Sequence, residues 1–126
     1  MILKLPEGYD TIVTTTGGRL SGGQIQRIGL ARAMYDDTVF LVLDEPNSNL
    51  DNEGSNALNA AIRAMKAEEK SVIIMAHRPA AIEECDTLLV LENGTRVAFG
   101  PKDEVMRAVV KNHAEIERSA TPGGVS

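Results

Sequence analysis

The sequence predicts an α/β fold built on a parallel βαβ core and completed by a C-terminal β-hairpin and helix. Three observations point there. Two apolar, β-favouring runs, "VFLVLDEP" at 39–46 and "SVIIMAH" at 71–77, flank a stretch with helical spacing. The first run is continuous rather than alternating, which is the pattern of a strand covered on both faces in a parallel sheet, and the second is a further apolar strand that ends in a polar residue. Further on, "TLLVLENGTRVAFG" at 87–100 sets Asn93 and Gly94 between two β-rich runs. That dipeptide supplies the positive φ angles of a tight type I′ turn.

The elements follow in order. Residues 1–19 contain Pro6, Gly8, three consecutive threonines and the pair Gly17 and Gly18, and they predict irregular chain. A helix is expected over 21–35, with Ile25, Ile28, Ala31 or Arg32, and Tyr35 on one face. Leu30, Ala33 and Met34 widen that apolar surface, so much of this helix is expected to be buried. Asp36, Asp37 and Thr38 make a turn into the first strand. Residues 52–70 predict an amphipathic helix, because Leu58, Ala61, Ile62 and Met65 fall at i, i+3, i+4 and i+7. After the second strand, residues 79–84 predict a short helix with Pro79 in its first turn. Strand, helix, strand is a βαβ unit, for which a right-handed crossover is expected. Pro101 then opens a last helix with Val105, Met106, Val109 and Val110 on its apolar face. From about His113 the chain is polar and ends "TPGGVS", so residues 114–126 are expected to form a disordered tail.

Composition narrows the function classes. A chain of 126 residues holds one domain or part of one. With 43% hydrophobic and 3% aromatic residues, the core must be aliphatic. A net charge of -5 argues against binding a phosphate backbone, so nucleic acid is not an expected partner. The single cysteine, Cys85, has no internal disulfide partner and no zinc-type spacing around it. A reducing compartment, and hence the cytoplasm, is expected. The longest apolar runs are too short to cross a bilayer.

Chemistry concentrates at the carboxyl ends of the two expected parallel strands, where open parallel sheets bind ligands. One strand ends in Asp44 and Glu45, the other leads to His77. A carboxylate pair there suits nucleoside triphosphate hydrolysis, one group serving Mg²⁺ through its water shell and the next polarising the attacking water. The same pair also fits a solvated strand cap, and His77 also fits a surface loop. At 20–24 stands "LSGGQ". Ser21-x-x-Gln24 reads as a capping box, but Gly22 and Gly23 each cost a helix about 1 kcal/mol relative to alanine. Capping leaves them unexplained. Bare amides at the positive end of a helix dipole make a phosphate site, where glycine lets the backbone approach closely.

Four motifs in this order resemble the ATP-binding cassette (ABC) ATPases. "LSGGQ" at 20–24 is similar to their signature motif, "FLVLDEP" at 40–46 to Walker B, "SNLD" at 48–51 to the D-loop, and His77 to the switch histidine. "LPEGYDT", "IGLARA", "DEPNSNLD" and "VAFGPKDEV" look most like cassette subunits of type I secretion exporters of the protease and lipase type. The resemblance implies a partial P-loop NTPase fold, with residues 1–113 forming the C-terminal part of a nucleotide-binding domain. It implies catalytic roles for Glu45, as general base, and His77, at the γ-phosphate. Asp44 would serve Mg²⁺, and Asp51 would communicate between two nucleotide sites. Ser21 and Gly23 would bind the γ-phosphate of ATP held by another subunit, with Gly22 and Gln24 shaping that contact. The implied cofactors are ATP and Mg²⁺. The implied partners are a second nucleotide-binding domain in a dimer and the transmembrane domain of a transporter. For the secretion subgroup, a membrane-fusion adaptor and an outer-membrane channel join them. The parent would lie at the cytoplasmic face of the inner membrane.

The phosphate-cradling G-x-x-x-x-G-K-[ST] does not occur in the sequence, nor does a Gly-Lys dipeptide. The Walker A half is therefore expected to lie upstream in a longer parent, and this chain alone is expected to be inactive as an ATPase. Ile25 stands where the family usually has a basic or polar residue, and Thr14, Thr15 and Thr16 replace a more acidic approach to the signature. A silent binding module that pairs with an intact cassette, or a folded remnant that self-associates, are the other readings.

Overall fold

The computed structural model describes residues 1–14, 18 and 20–120. The expectations for Thr15, Thr16, Gly17 and residues 121–126 lie outside them. The chain divides into two compact units, Met1–Glu84 and Cys85–Ser126.

The first unit begins with short 3-10 turns at Ile2–Lys4 and Gly8–Asp10. It continues through helix α1 (Gly22–Ala33), strand β1 (Phe40–Asp44), helix α2 (Asn52–Ala67) and strand β2 (Ser71–Met75), and ends at a 3-10 turn over Pro79–Ile82. Strands β1 and β2 pair in parallel, with Phe40 opposite Ser71 and Asp44 opposite Met75. Both strands therefore run out at the same edge. Pro79 at the head of its turn follows the expected use of proline, whose missing N–H is unneeded there.

Each helix boundary has a chemical cause. Ser21 caps α1 through the expected capping box, its hydroxyl accepting from Gln24 N at 3.1 Å while Gln24 Oε1 accepts from Ser21 N at 2.9 Å. Asp51 caps α2, accepting from Gly54 N at 2.8 Å. α2 stops at Ala67 rather than at residue 70 because Glu69 turns to φ +58 and Lys70 N donates back to Met65 O at 3.0 Å. That is a Schellman closure built on a glutamate in place of the usual glycine. Lys70 Nζ then lies 2.8 Å from Glu68 Oε2 and 3.4 Å from Asp37 Oδ1. The hydrogen bond to Glu68, with that to Asp37, raises its pKa above the usual lysine value against the opposing effect of burial.

The core lies on one face of the two strands. Leu41 and Leu43 of β1 pack with Leu58, Ile62 and Met65 of α2, and Leu30, Met34, Leu50, Val72 and Ile74 close around them. This corrects the expectation that β1 is covered on both faces. Its burial alternates, leaving Phe40 and Val42 55% and 51% exposed, with Ile73 and Met75 of β2 also open. α1 is a second correction. None of its residues is buried, and Tyr35 beyond its end is 82% exposed. Only Leu30 and Met34 of its apolar surface reach the core. A cavity of about 510 Å³ lies beside them, lined among others by Leu43, Leu50, Leu58 and Ala61.

In the second unit, strand β3 (Thr87–Glu92) and strand β4 (Thr95–Pro101) form an antiparallel hairpin. Asn93 at φ +50 and Gly94 at φ +74 make the expected type I′ turn. The register shifts between Val90, opposite Ala98, and Leu91, opposite Arg96, so Val97 is the extra residue of a bulge. Helix α3 spans Lys102–Ala120, directly after Pro101, and buries Val105. Val110, expected on its apolar face, is 62% exposed. It lies one residue past the i, i+4 position from Val105 and so turns away from the buried side. The helix also runs past His113 to Ala120, because lysine, alanine, glutamate and arginine in that exposed stretch are good helix formers.

Two substitutions test these assignments. Leu58, 2% exposed, sits at the centre of the core, and Leu58→Ala is expected to lower unfolding free energy by about 2–5 kcal/mol in a urea titration. Asp51→Ala removes only the cap and is expected to lower it by about 1 kcal/mol.

Candidate functional site

The parallel register ends with Asp44 opposite Met75, and Glu45 follows directly, beside the chain that leaves β2 after Met75. Glu45 N donates to Met75 O at 2.8 Å, and Ser48 N donates to Glu45 O at 3.2 Å. Between these bonds Glu45 takes φ +48. A non-glycine residue in the left-handed region costs on the order of 1 kcal/mol, and such residues cluster at functional sites. The turn redirects the chain, so that Glu45 Oε1 lies 3.3 Å from Nε2 of His77, an ion pair when the imidazole is protonated. His77 is 94% exposed while Glu45 is mostly covered. The strand ends thus bring Glu45 and His77 together. Asp44 is exposed beside them, and among the described residues nothing engages its carboxylate.

That donor set fits a hydrated Mg²⁺. Such an ion is commonly held by one or two carboxylates, with water and phosphate oxygens filling its octahedron. Among the described residues no group of three or more His, Cys, Asp or Glu forms a metal cage, so Asp44 can contribute to such a shell but not complete it.

The Ser21–Gln24 turn and the segment after Glu45 meet each other. Asn49 supports the start of α1 closely enough that a Cβ added to Gly23 would lie 2.7 Å from Asn49 O. This corrects the expectation that folding leaves both glycines unexplained. Gly23 is required by a backbone approach inside the chain. A Cβ on Gly22 would meet the Asn49 side chain at an ordinary 3.6 Å, so packing does not require that glycine. The hydroxyl of Ser21 accepts from Gln24 N and still has its own hydrogen to donate. The amides of Gly22 and Gly23 belong to the first helical turn, which has no intrahelical acceptor for them.

Sequence reasoning passed over Gln26. Its Nε2 donates to Ser48 Oγ at 3.0 Å and its Oε1 accepts from Asn49 N at 3.3 Å. Nothing in local spacing joins position 26 to position 48.

Comparison with known proteins bears on this geometry. Residues 2–48 match the family described as ABC transporter. The chain is 48% identical over 118 residues to the type I secretion system ATP-binding protein PrsD of Rhizobium meliloti (strain 1021), covering 94% of this chain and 20% of that protein. It is 43% identical over 106 residues to an ATP-dependent lipid A-core flippase of Burkholderia orbicola (strain AU 1054), covering 84% of this chain and 18% of the flippase. Among solved structures, a bacterial Atm1-family ABC exporter with ATP bound superposes with a TM-score of 0.75 at 33% identity, covering 95% of this chain and 21% of that one. The chain therefore spans about a fifth of the length of these relatives. No helix among the described residues is long and apolar enough to cross a membrane. The mixed α/β architecture, with its parallel pair and its hairpin, is a partial P-loop NTPase fold, and the chain belongs to the ABC transporter ATPase family.

Proposed function

We propose that this chain supplies the signature segment and the hydrolytic carboxylates of an ATP-driven exporter, and that the phosphates of ATP are cradled by a P-loop outside its sequence. The observation that carries this reading is the 3.3 Å approach of Glu45 and His77 at the carboxyl edge of the parallel pair. In it, Glu45 orients the attacking water and accepts its proton, while the exposed face of His77 meets the γ-phosphate. Asp44 would hold Mg²⁺, whose charge would offset that building on the phosphate oxygens. Ser21 Oγ–H and the amides of Gly22 and Gly23 point their donors at ATP bound by a second nucleotide-binding domain, with Gln24 bracing the turn. Asp51, two residues past Asn49, lies on the segment that would face that domain.

The relative at 48% identity favours protein export by type I secretion. That assignment brings a transmembrane domain, an adaptor, an outer-membrane channel and a place at the cytoplasmic face of the inner membrane. Flippase and multidrug-transporter relatives at 43% and 42% identity are the competing substrate classes. Without a P-loop this chain does not hold ATP by itself and acts by pairing with an intact cassette. The open apolar face of Phe40, Val42, Ile73 and Met75 favours a second reading, a remnant that self-associates. Light scattering that finds dimers or larger species of the chain alone would support it.

The purified chain is expected to show no Glu45-dependent ATP turnover, so wild type and Glu45→Gln should give the same background in a phosphate-release assay. Turnover lost on Glu45→Gln would overturn the silent state. Mixed with a cassette domain that carries a P-loop, the chain is expected to tighten ATP binding about tenfold, equivalent to about 1.4 kcal/mol. Ser21→Arg should abolish the gain by placing a bulky side chain where the phosphate must approach. An unchanged affinity with the wild-type chain would sink the pairing.

A further inference from the structure

We infer that Gln26 is a positioning residue that locks the first turn of α1 to residues 48–51, so that Ser21 to Gln24 and the cap Asp51 are displaced as one body. Three observations converge. First, both ends of one carboxamide are used, Nε2 on Ser48 Oγ at 3.0 Å and Oε1 on Asn49 N at 3.3 Å. A group bonded at both ends cannot rotate about its last torsion without losing one contact. Second, the Asn49 carbonyl seats against the backbone of Gly23, where a Cβ would come within 2.7 Å. The carboxamide and the glycine therefore grip Asn49 from its N–H and its C=O. Third, the gripped segment is bonded at both of its own ends. Ser48 N reaches back to Glu45 O at 3.2 Å, and Asp51 Oδ1 accepts from Gly54 N in the first turn of α2 at 2.8 Å.

The consequence is a mechanical path from the start of α1, through Gln26 and Ser48, to the backbone of Glu45. The neighbouring pair Arg27 and Glu53 spans the same gap at 3.8 Å, but both side chains are solvated, and an exposed pair of that length adds little. The specific contact is the carboxamide. Gln26 does not touch the reacting atoms; it sets the position of groups that would.

The test compares Gln26→Leu with Gln26→Glu in the full chain. Leucine removes both contacts at similar size. Glutamate still accepts from Asn49 N, and the Ser48 hydroxyl turns to donate to it. Exchange of the Asn49 amide in ¹⁵N-labelled protein is expected to quicken about tenfold in Gln26→Leu and to stay within about twofold of wild type in Gln26→Glu. Unchanged exchange in β1 would show that the fold is intact. Ser21→Ala should shift the Asn49 and Leu50 resonances in the Gln26 background and leave them still in the Gln26→Leu background. Asn49 exchange that ignores Gln26→Leu, or a Ser21→Ala shift that reaches Asn49 equally in both backgrounds, would overturn the inference.

Its consequence for ATP binding rests on the function proposed above. With a P-loop-bearing cassette domain, Gln26→Leu is expected to lose most of the about tenfold tightening of ATP binding that the wild-type chain gives, and Gln26→Glu is expected to restore it. Tightening by Gln26→Leu equal to that by the wild-type chain would overturn the positioning role. If the wild-type chain leaves the cassette domain unaffected, the functional reading fails, and the exchange and coupling measurements on the chain alone still decide the clamp.

Discussion

The site depends on the register of the β1 and β2 ladder. Asp44 stands opposite Met75, so the next amide, that of Glu45, can still reach Met75 O at 2.8 Å. This last ladder bond holds Glu45 at φ +48 and turns its carboxylate toward the chain that carries His77. A slip of one residue would exchange the two faces of a strand. It would take Leu41 and Leu43 out of the core and carry Glu45 away from the histidine. The burial of two leucines and the approach of two titratable side chains are therefore set by the same alternation.

A second constraint acts at the start of α1, where helix capping, chain packing and the proposed phosphate contact share one turn. The capping box uses the acceptor side of Ser21 and leaves its donor free. Gly23 meets the need of the chain itself, since Asn49 O occupies the place of a side chain there, while Gly22 has ordinary space around it. A motif read from sequence as a ligand-binding device thus divides into one glycine that folding requires and one that it does not. The difference arises from a segment more than twenty positions away, which no helix propensity can register.

The exposed apolar surface of the first unit has a plain physical origin. Parallel strands are stable when covered on both faces, yet here α1 and α2 contribute to a single core on one side, and Phe40, Val42, Ile73 and Met75 remain open on the other. The two-stranded parallel sheet of this unit is thus wrapped on one side only. In the second unit the hairpin is defined by its own turn chemistry, Asn93 and Gly94 both at positive φ, and its register is adjusted locally by the bulge at Val97.

Local chemistry determined much of this protein from sequence alone. The Ser21 box, the i, i+4 pattern of Leu58, Ile62 and Met65, and the Asn93-Gly94 turn all depend on neighbours within a few residues, and each element stands where those neighbours require. The order of the signature, Walker B and D-loop motifs was legible for the same reason, and with it the family. Tertiary structure alone decided which faces are covered, because burial depends on how many layers surround a strand or helix, and the number of layers is not encoded in its pattern. It also decided the end of α2 at the Glu69 turn, the exposure of α1, and the grip of Gln26 on Ser48 and Asn49. Such contacts join residues far apart in the chain, and only the packing of α1 against the loop before α2 brings them within hydrogen-bond reach.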